Sequence, residues 1–258
     1  MNGHPYLALI GVDVFERGRG ESQNARSRRA RRSGLARRSW LGLVVAVAVG
    51  AGCGGDASPT PVPTAARVAQ PAGLYRSNAF LPTITYTLPD GWLIVGDTAD
   101  YFALQPVTSD AIGIHVFRSP RAASQDADCP ITSAPGVGTT AKELVDWIRA
   151  RPGLTAGDPV PVTMGGLVGL QVDVAIVEGW GPSCPFASGI PTVPLFVGST
   201  DPSFRWVIAG SERLRLDILD VPGKGTIVVD IDAFDGSLMD DFLPAATPIV
   251  ESMRFALL

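Results

Sequence analysis

Between residues 83 and 233 the chain repeatedly alternates apolar and polar side chains, and it changes to a clear helical period near residue 140. A two-residue period commits one face of a strand to the core, so this patterning restricts the possible folds more than any other feature. Within 83–88, Ile84, Tyr86 and Leu88 share one face, while Thr85 and Thr87 take the other. Pro89, Asp90 and Gly91 signal a turn, and Trp92 opens a second strand. Residues 101–105 and 111–117 read as two more. Residues 118–138 are polar and turn-rich, the pattern of a long loop.

The helical stretch begins with a capping-box pattern, Thr140 followed by Glu143. Ala141, Leu144, Val145, Trp147 and Ile148 then form one apolar stripe, and Pro152 with Gly153 stops the helix. Residues 160–164 and 167–177 flank Gly165 and Gly166 and predict a β-hairpin. A Gly/Pro-rich segment follows, over 178–203. Arg213, Arg215 and Asp217 next alternate with Leu214, Leu216 and Ile218. A turn at 222–225 leads to a strand over 226–233 with Ile227, Val229 and Ile231 inward and Asp230 and Asp232 outward. Residues 237–254 close the chain as a helix that Pro244 and Pro248 should kink or divide. Strands, helix, strands, helix, joined by hairpin-type turns, predict one α+β domain with helices packed on a mainly antiparallel sheet. A doubly wound α/β fold is disfavoured because strands and helices do not alternate.

Ahead of this domain lies an export signal. Residues 26–38 carry seven Arg and no acid, and the apolar run 40–52 ends at Cys53. Thirteen helical residues span only about 20 Å, short of the roughly 30 Å of a bilayer core. A positive segment, a short apolar segment and small residues before a cut site are the pattern of a secretory signal. Gly50, Ala51, Gly52 and Cys53 resemble the lipobox of bacterial lipoproteins, in which the Cys is acylated and becomes the mature N-terminus; Gly50 departs from the usual larger aliphatic. Arg37 and Arg38, followed by Ser39, Trp40 and Leu41, resemble a twin-arginine export motif, with an ordinary Sec signal as the alternative. Three segments follow: 1–52, a basic extension and signal; 53–73, a lipidated Cys and a Pro/Ser/Thr-rich tether; and 74–258, the folded domain.

Charge divides at the same place. Residues 1–52 hold nine Arg against three acids, a net of +6, whereas 53–258 carry twelve basic and twenty-two acidic groups, a net of −10. An acidic body argues against nucleic acid as a partner, because phosphate binding needs clustered Lys and Arg. Nor does the sequence supply a familiar catalytic set. Its two His are His4, in the signal, and His115, mid-strand, where a structural partner is the simpler reading. There is no nucleophile-elbow pattern, and Gly181, Pro182, Ser183, Cys184 and Pro185 miss it by a misplaced proline. Asp230, Asp232, Asp235 and Gly236 resemble a calcium loop only loosely, since Phe234 and Asp235 occupy positions that need a ligand and a glycine. No metal site, cofactor or catalytic residue is expected.

Four short motifs carry a resemblance: Leu-Pro-x-Gly-Trp at 88–92, Thr-Ala-x-x-Leu at 140–144, Gly-Gly-Leu-x-Gly at 165–169 and Glu-Ser-Met-Arg-Phe at 251–255. Together with the lipidated tether they are similar in layout to the PsbP-like domains of bacterial lipoproteins, the LpqN type among them, over roughly residues 74–256. The resemblance implies a sheet covered by helices and a binding or assembly role. It brings no catalytic residue.

These readings converge on a non-enzymatic lipoprotein of the cell envelope, held outside the membrane through Cys53 in the lipid bilayer. The alternative is an envelope hydrolase with an unrecognised acidic site. With Cys53 acylated, Cys129 and Cys184 form an even pair in an oxidising compartment and are expected to be bridged. Trp180, Phe186 and Phe196, in the 178–203 segment, either line a site for a small apolar ligand or envelope protein, or cover the sheet.

Overall fold

The computed structural model describes residues 68–257. Cys53, Arg37 and Arg38, with the signal and most of the tether, lie outside the described residues. Pairing starts at Gln70, whose backbone N–H donates to the Trp92 carbonyl at 2.7 Å, so the last residues assigned to the tether already belong to the domain.

The alternating segments form one large antiparallel sheet. Its path runs through β3 (Trp92–Asp97), β4 (Tyr101–Pro106), β5 (Ile112–Arg118), β13 (Gly225–Ala233), β12 (Arg213–Val221), β9 (Leu167–Ile176) and β7 (Leu154–Ala156). The eighth strand, β8 (Val160–Met164), shares the outer edge of β9 with β7. Gly165 and Gly166 turn the β8–β9 hairpin, both at positive φ, which favours Gly over any other residue. β9 pairs with β12 and β12 with β13, while β5, from a distant part of the chain, closes on the far side of β13.

Both faces of this sheet are covered, which is where the molecule departs from the sequence reading. One face packs under α2 (Met239–Ser252) and a small sheet of β1 (Gly73–Arg76), β2 (Ile84–Leu88) and β14 (Arg254–Phe255). Ile114, Ile227, Val229 and Ile231 meet Tyr86, Phe242, Ala246 and Ile249 there. The other face packs under α1 (Ala141–Arg149) and a second small sheet of β6 (Arg121–Ala122), β10 (Thr192–Val197) and β11 (Arg205–Ala209). Leu216, Ile218 and Val228 meet Leu144, Ile148, Leu195 and Trp206. The supposed loops over 118–138 and 178–203 therefore supply β6 and β10.

A double cover changes what alternation means on β13. Every residue from Thr226 to Ala233 is buried, the acids included, so Asp230 and Asp232 are not on an outward face. The helices obey local rules. Thr140 caps α1 with both halves of the capping box, and the five residues of the expected stripe are all buried. α2 is one helix containing Pro244 and Pro248 rather than two. Both prolines are exposed and one turn apart, so the carbonyls they leave unbonded face water while Phe242, Ala246, Ile249 and Val250 hold the buried side.

Candidate functional site

Register places a row of polar groups inside the α1 face of the sheet. His115 pairs with Asp230, and Gly113 with Asp232. Gly113 is required here: a Cβ would lie 2.6 Å from His115 Nε2 and 3.0 Å from Asp232 Oδ1. In the space it leaves, His115 Nε2 meets Asp232 Oδ1 at 3.1 Å and His115 Nδ1 meets the Tyr101 hydroxyl at 2.8 Å. Trp206 Nε1 donates to Asp230 Oδ2 at 2.9 Å, and its ring lies 4.6 Å from the His115 ring. Glu212 joins the group, accepting from the Ala209 N–H at 2.8 Å.

Burial sets the protonation of these acids. Desolvation, reinforced by the charge of Asp232, pushes both Glu212 and Asp230 well above the usual carboxylate range. The same burial raises the Tyr101 phenol. A hydroxyl–imidazole–carboxylate chain has the order of a proton relay, but His115 is 6% exposed and Asp232 is fully buried, with Trp206 over the imidazole. Substrate has no approach to it. The chain is a hydrogen-bonded polar network within a core, beside an Asp230 Oδ1 that has no partner among the described residues.

An open cleft of about 490 Å³ lies on the opposite face, between the β8–β9 hairpin and the last turns of α2. Asp217, Gln171, Arg215, Glu251 and Arg254 reach it, over Ile231 and Val250. Asp217 is 2% exposed and accepts from Gln171 Nε2 at 2.8 Å. Burial lifts its pKa to about 6, against the lowering effects of the Gln171 bond and the Arg215 charge. Arg215 forms a two-pronged pair with Asp173, at 2.7 and 2.9 Å, which fixes its guanidinium plane. A carboxyl, an amide and an oriented guanidinium in one cleft make a hydrogen-bonding surface for a polar ligand.

Three solved structures align with this chain, each at low identity and a TM-score below 0.4. The solution structure of cyanobacterial PsbP (CyanoP) from Synechocystis sp. PCC 6803 aligns at 10% identity and a TM-score of 0.36, over 72% of this chain and 94% of that one. The crystal structure of LpqN, involved in cell envelope biogenesis of Mycobacterium tuberculosis, aligns at 13% and 0.36, over 66% and 82%. A crystal structure from Bacteroides thetaiotaomicron aligns at 8% and 0.33, over 67% of this chain and 45% of that one. No family model matches the sequence, and no curated protein matches it.

The structure separates the three aromatic residues singled out from the sequence. Phe196 is fully buried, its ring 6.3 Å from that of Phe117. Phe186 lies under the Arg205 guanidinium at 4.3 Å, beside the cysteines. The Trp180 ring packs against Gly153 and Val193 so closely that a Cβ on Gly153 would approach within 2.7 Å. The cavity touching Phe186 and Phe196 is about 10 Å³, hardly room for a water, so this segment covers the sheet. Cys129 and Cys184 are joined in a disulfide that ties the loop after β6 to the approach to β10. Tyr101, Trp206, Glu212 and Asp217 were not anticipated. The signal available for the acids was the near-continuous apolar run around Asp230 and Asp232, which marks a strand buried on both faces.

Proposed function

We propose that this chain is an exported lipoprotein, anchored through Cys53, whose domain is a non-enzymatic binding module of the cell envelope, with the Asp217 cleft as its polar recognition site. One observation carries the choice of binding over catalysis. The groups arranged like a relay, Tyr101, His115 and Asp232, are sealed beneath Trp206, while the cleft brings Arg215, Glu251 and Arg254 to the surface beside the buried Asp217. The lipobox-like segment ending at Cys53, and a disulfide suited to an oxidising compartment, support the location. Two or more acyl chains give stable anchoring, which one does not.

Detergent partitioning of the wild-type protein against Cys53→Ser tests the anchor. Retention of the wild type in the membrane fraction and release of the variant is expected; equal retention of both rejects lipidation. Native mass spectrometry of the protein from its own host tests for a ligand, whose loss in Asp217→Ala places it in the cleft.

One observation favours the hydrolase alternative. A carboxyl with a pKa near 6 in an open cleft that also holds Glu251 is suited to proton transfer. Turnover of any envelope substrate, lost in both Asp217→Asn and Glu251→Gln with folding intact, would replace the binding reading.

A further inference from the structure

A second groove, remote in character from the polar cleft, crosses the end of the main sheet. It measures about 520 Å³, within the roughly 300–1,000 Å³ of small-molecule sites. One wall is the loop carrying Leu81 and Pro82 with the C-terminal tail at Ala256 and Leu257; the other is the β12–β13 turn. Val221 and Ile227 belong to its apolar floor. Leu81 and Leu257 are 48% and 45% exposed, so two large apolar side chains stand open to water on one rim.

Charge singles this groove out. The described residues hold twenty-one acids and eleven basic groups, yet Arg76, Arg118 and Lys224 reach the groove and no Asp or Glu does. Arg118 is paired with Asp100 at 2.5 Å, which also receives the Thr200 hydroxyl and so holds the far wall in place. Arg76 and Lys224 are exposed at the rim. Lys224 is positioned by its turn, where Ser119 Oγ donates to the Lys224 carbonyl at 2.9 Å. Thr226 adds an independent observation. It borders the groove, is fully buried, and its Oγ1 has no hydrogen-bond partner among the described residues. A buried hydroxyl without a partner is unfavourable, so the floor of the groove at Thr226 retains unused hydrogen-bonding capacity.

We propose that this groove seats one long-chain fatty acid, its carboxylate held by Arg76 and Lys224 and its alkyl chain lying over Leu81, Val221 and Leu257. This rests on the reading of the domain as a binding module and names a ligand class for it. A volume of this size takes a single acyl chain rather than a bilayer patch, and an apolar floor with a cationic, acid-free rim matches an amphipathic monoanion.

The test uses the full-length protein in phosphatidylcholine vesicles with palmitate carrying a photoactivatable diazirine, and peptide mapping of the adducts. Adducts are expected in the segments around residues 76–83, 221–227 and 256–257. The double variant Arg76→Ala, Lys224→Ala should weaken labelling by about tenfold or more, as loss of charge-assisted contacts implies. Lys224→Arg should retain it. Both positions are exposed, so the core is undisturbed, and an unchanged circular dichroism spectrum verifies this. Equal labelling by the matching hexadecanol probe, adducts confined to the Asp217 cleft, or abolition of labelling by phosphatidylglycerol vesicles alone would each overturn the proposal. Those outcomes leave Cys53 anchoring and a ligand at the Asp217 cleft unaffected, so the two readings fail separately.

Discussion

At the scale of single residues, the acids are the instructive case. Asp217 has its pKa raised from 3.8 to about 6 mainly by burial, so the folded state binds its proton more tightly than the unfolded chain does. Its contribution to stability is therefore complete below about pH 4 and is lost as pH rises through about 6. Asp217→Asn keeps an oxygen for the Gln171 bond and removes the ionisation. Denaturant unfolding should show the variant flatter between pH 4 and 6 and more stable at pH 7.5 by roughly 1–3 kcal/mol. A stability loss at pH 7.5 would mean the cleft requires the charge. Residue identity alone does not signal this burial. Asp217 sits in an Arg/Leu/Arg/Leu/Asp/Ile alternation that reads as solvent on one side, and only the lie of α2 and the β8–β9 hairpin encloses it. Asp230 differs: the near-continuous apolar run around it marks a strand buried on both faces, although the covering layer comes from segments that read as loops.

Among the elements, α1 was fully legible and β10 was not, and the contrast is physical. The cap, stripe and stop of α1 are local: Thr140 accepts from the Glu143 N–H at 3.3 Å, and the Glu143 carboxylate accepts from the Thr140 N–H at 3.0 Å. The Thr140 hydroxyl, donating to the same carboxylate at 2.7 Å, and the Thr140 N–H hold the Glu143 carboxyl below its ordinary pKa. Thr140→Ala should therefore cost about 1 kcal/mol, measured by denaturant unfolding at neutral pH. No change would show that α1 is held by its buried face alone. β10 has no such local signature. Residues 192–197 include Pro194 and follow a Gly/Pro-rich stretch, and their strand character depends on partners: β11 along one side, β6 at a two-residue contact along the other. The strands β1 and β14 are equally non-local, since both exist by pairing with β2. Hairpins and central strands, with their own turn residues and alternation, were visible; cover strands recruited from afar were not.

Across the whole molecule, the disulfide is the long-range constraint. Cys129 and Cys184 are separated by 55 positions and close a loop that contains α1 and β7 to β9. The chain-entropy estimate for a loop of that size is about 4 kcal/mol, before any native strain. Alkylation of the denatured, unreduced protein should leave both thiols unmodified, with two added groups after reduction read by intact mass. The Cys129→Ser, Cys184→Ser variant should lose several kcal/mol, with the β6–β10–β11 cover loosening first; unchanged stability would show that packing alone holds that cover.

The complete enclosure of β13 has a kinetic consequence. Its amides are bonded to β5 on one side and β12 on the other and shielded on both faces, so they reach solvent deuterium only when the whole domain opens. The outer strands β1 and β8, each with an open edge, exchange by local fraying and should lose their signal first. Opening β13 also releases the proton that burial holds on Asp230. After correction for intrinsic rates, protection of the 227–231 amides should therefore decline as pH rises above the ordinary carboxylate range, while that of β1 stays level. A strand at the centre of the fold thus reports, through the isotope it withholds, on the protonation of the acids buried along it.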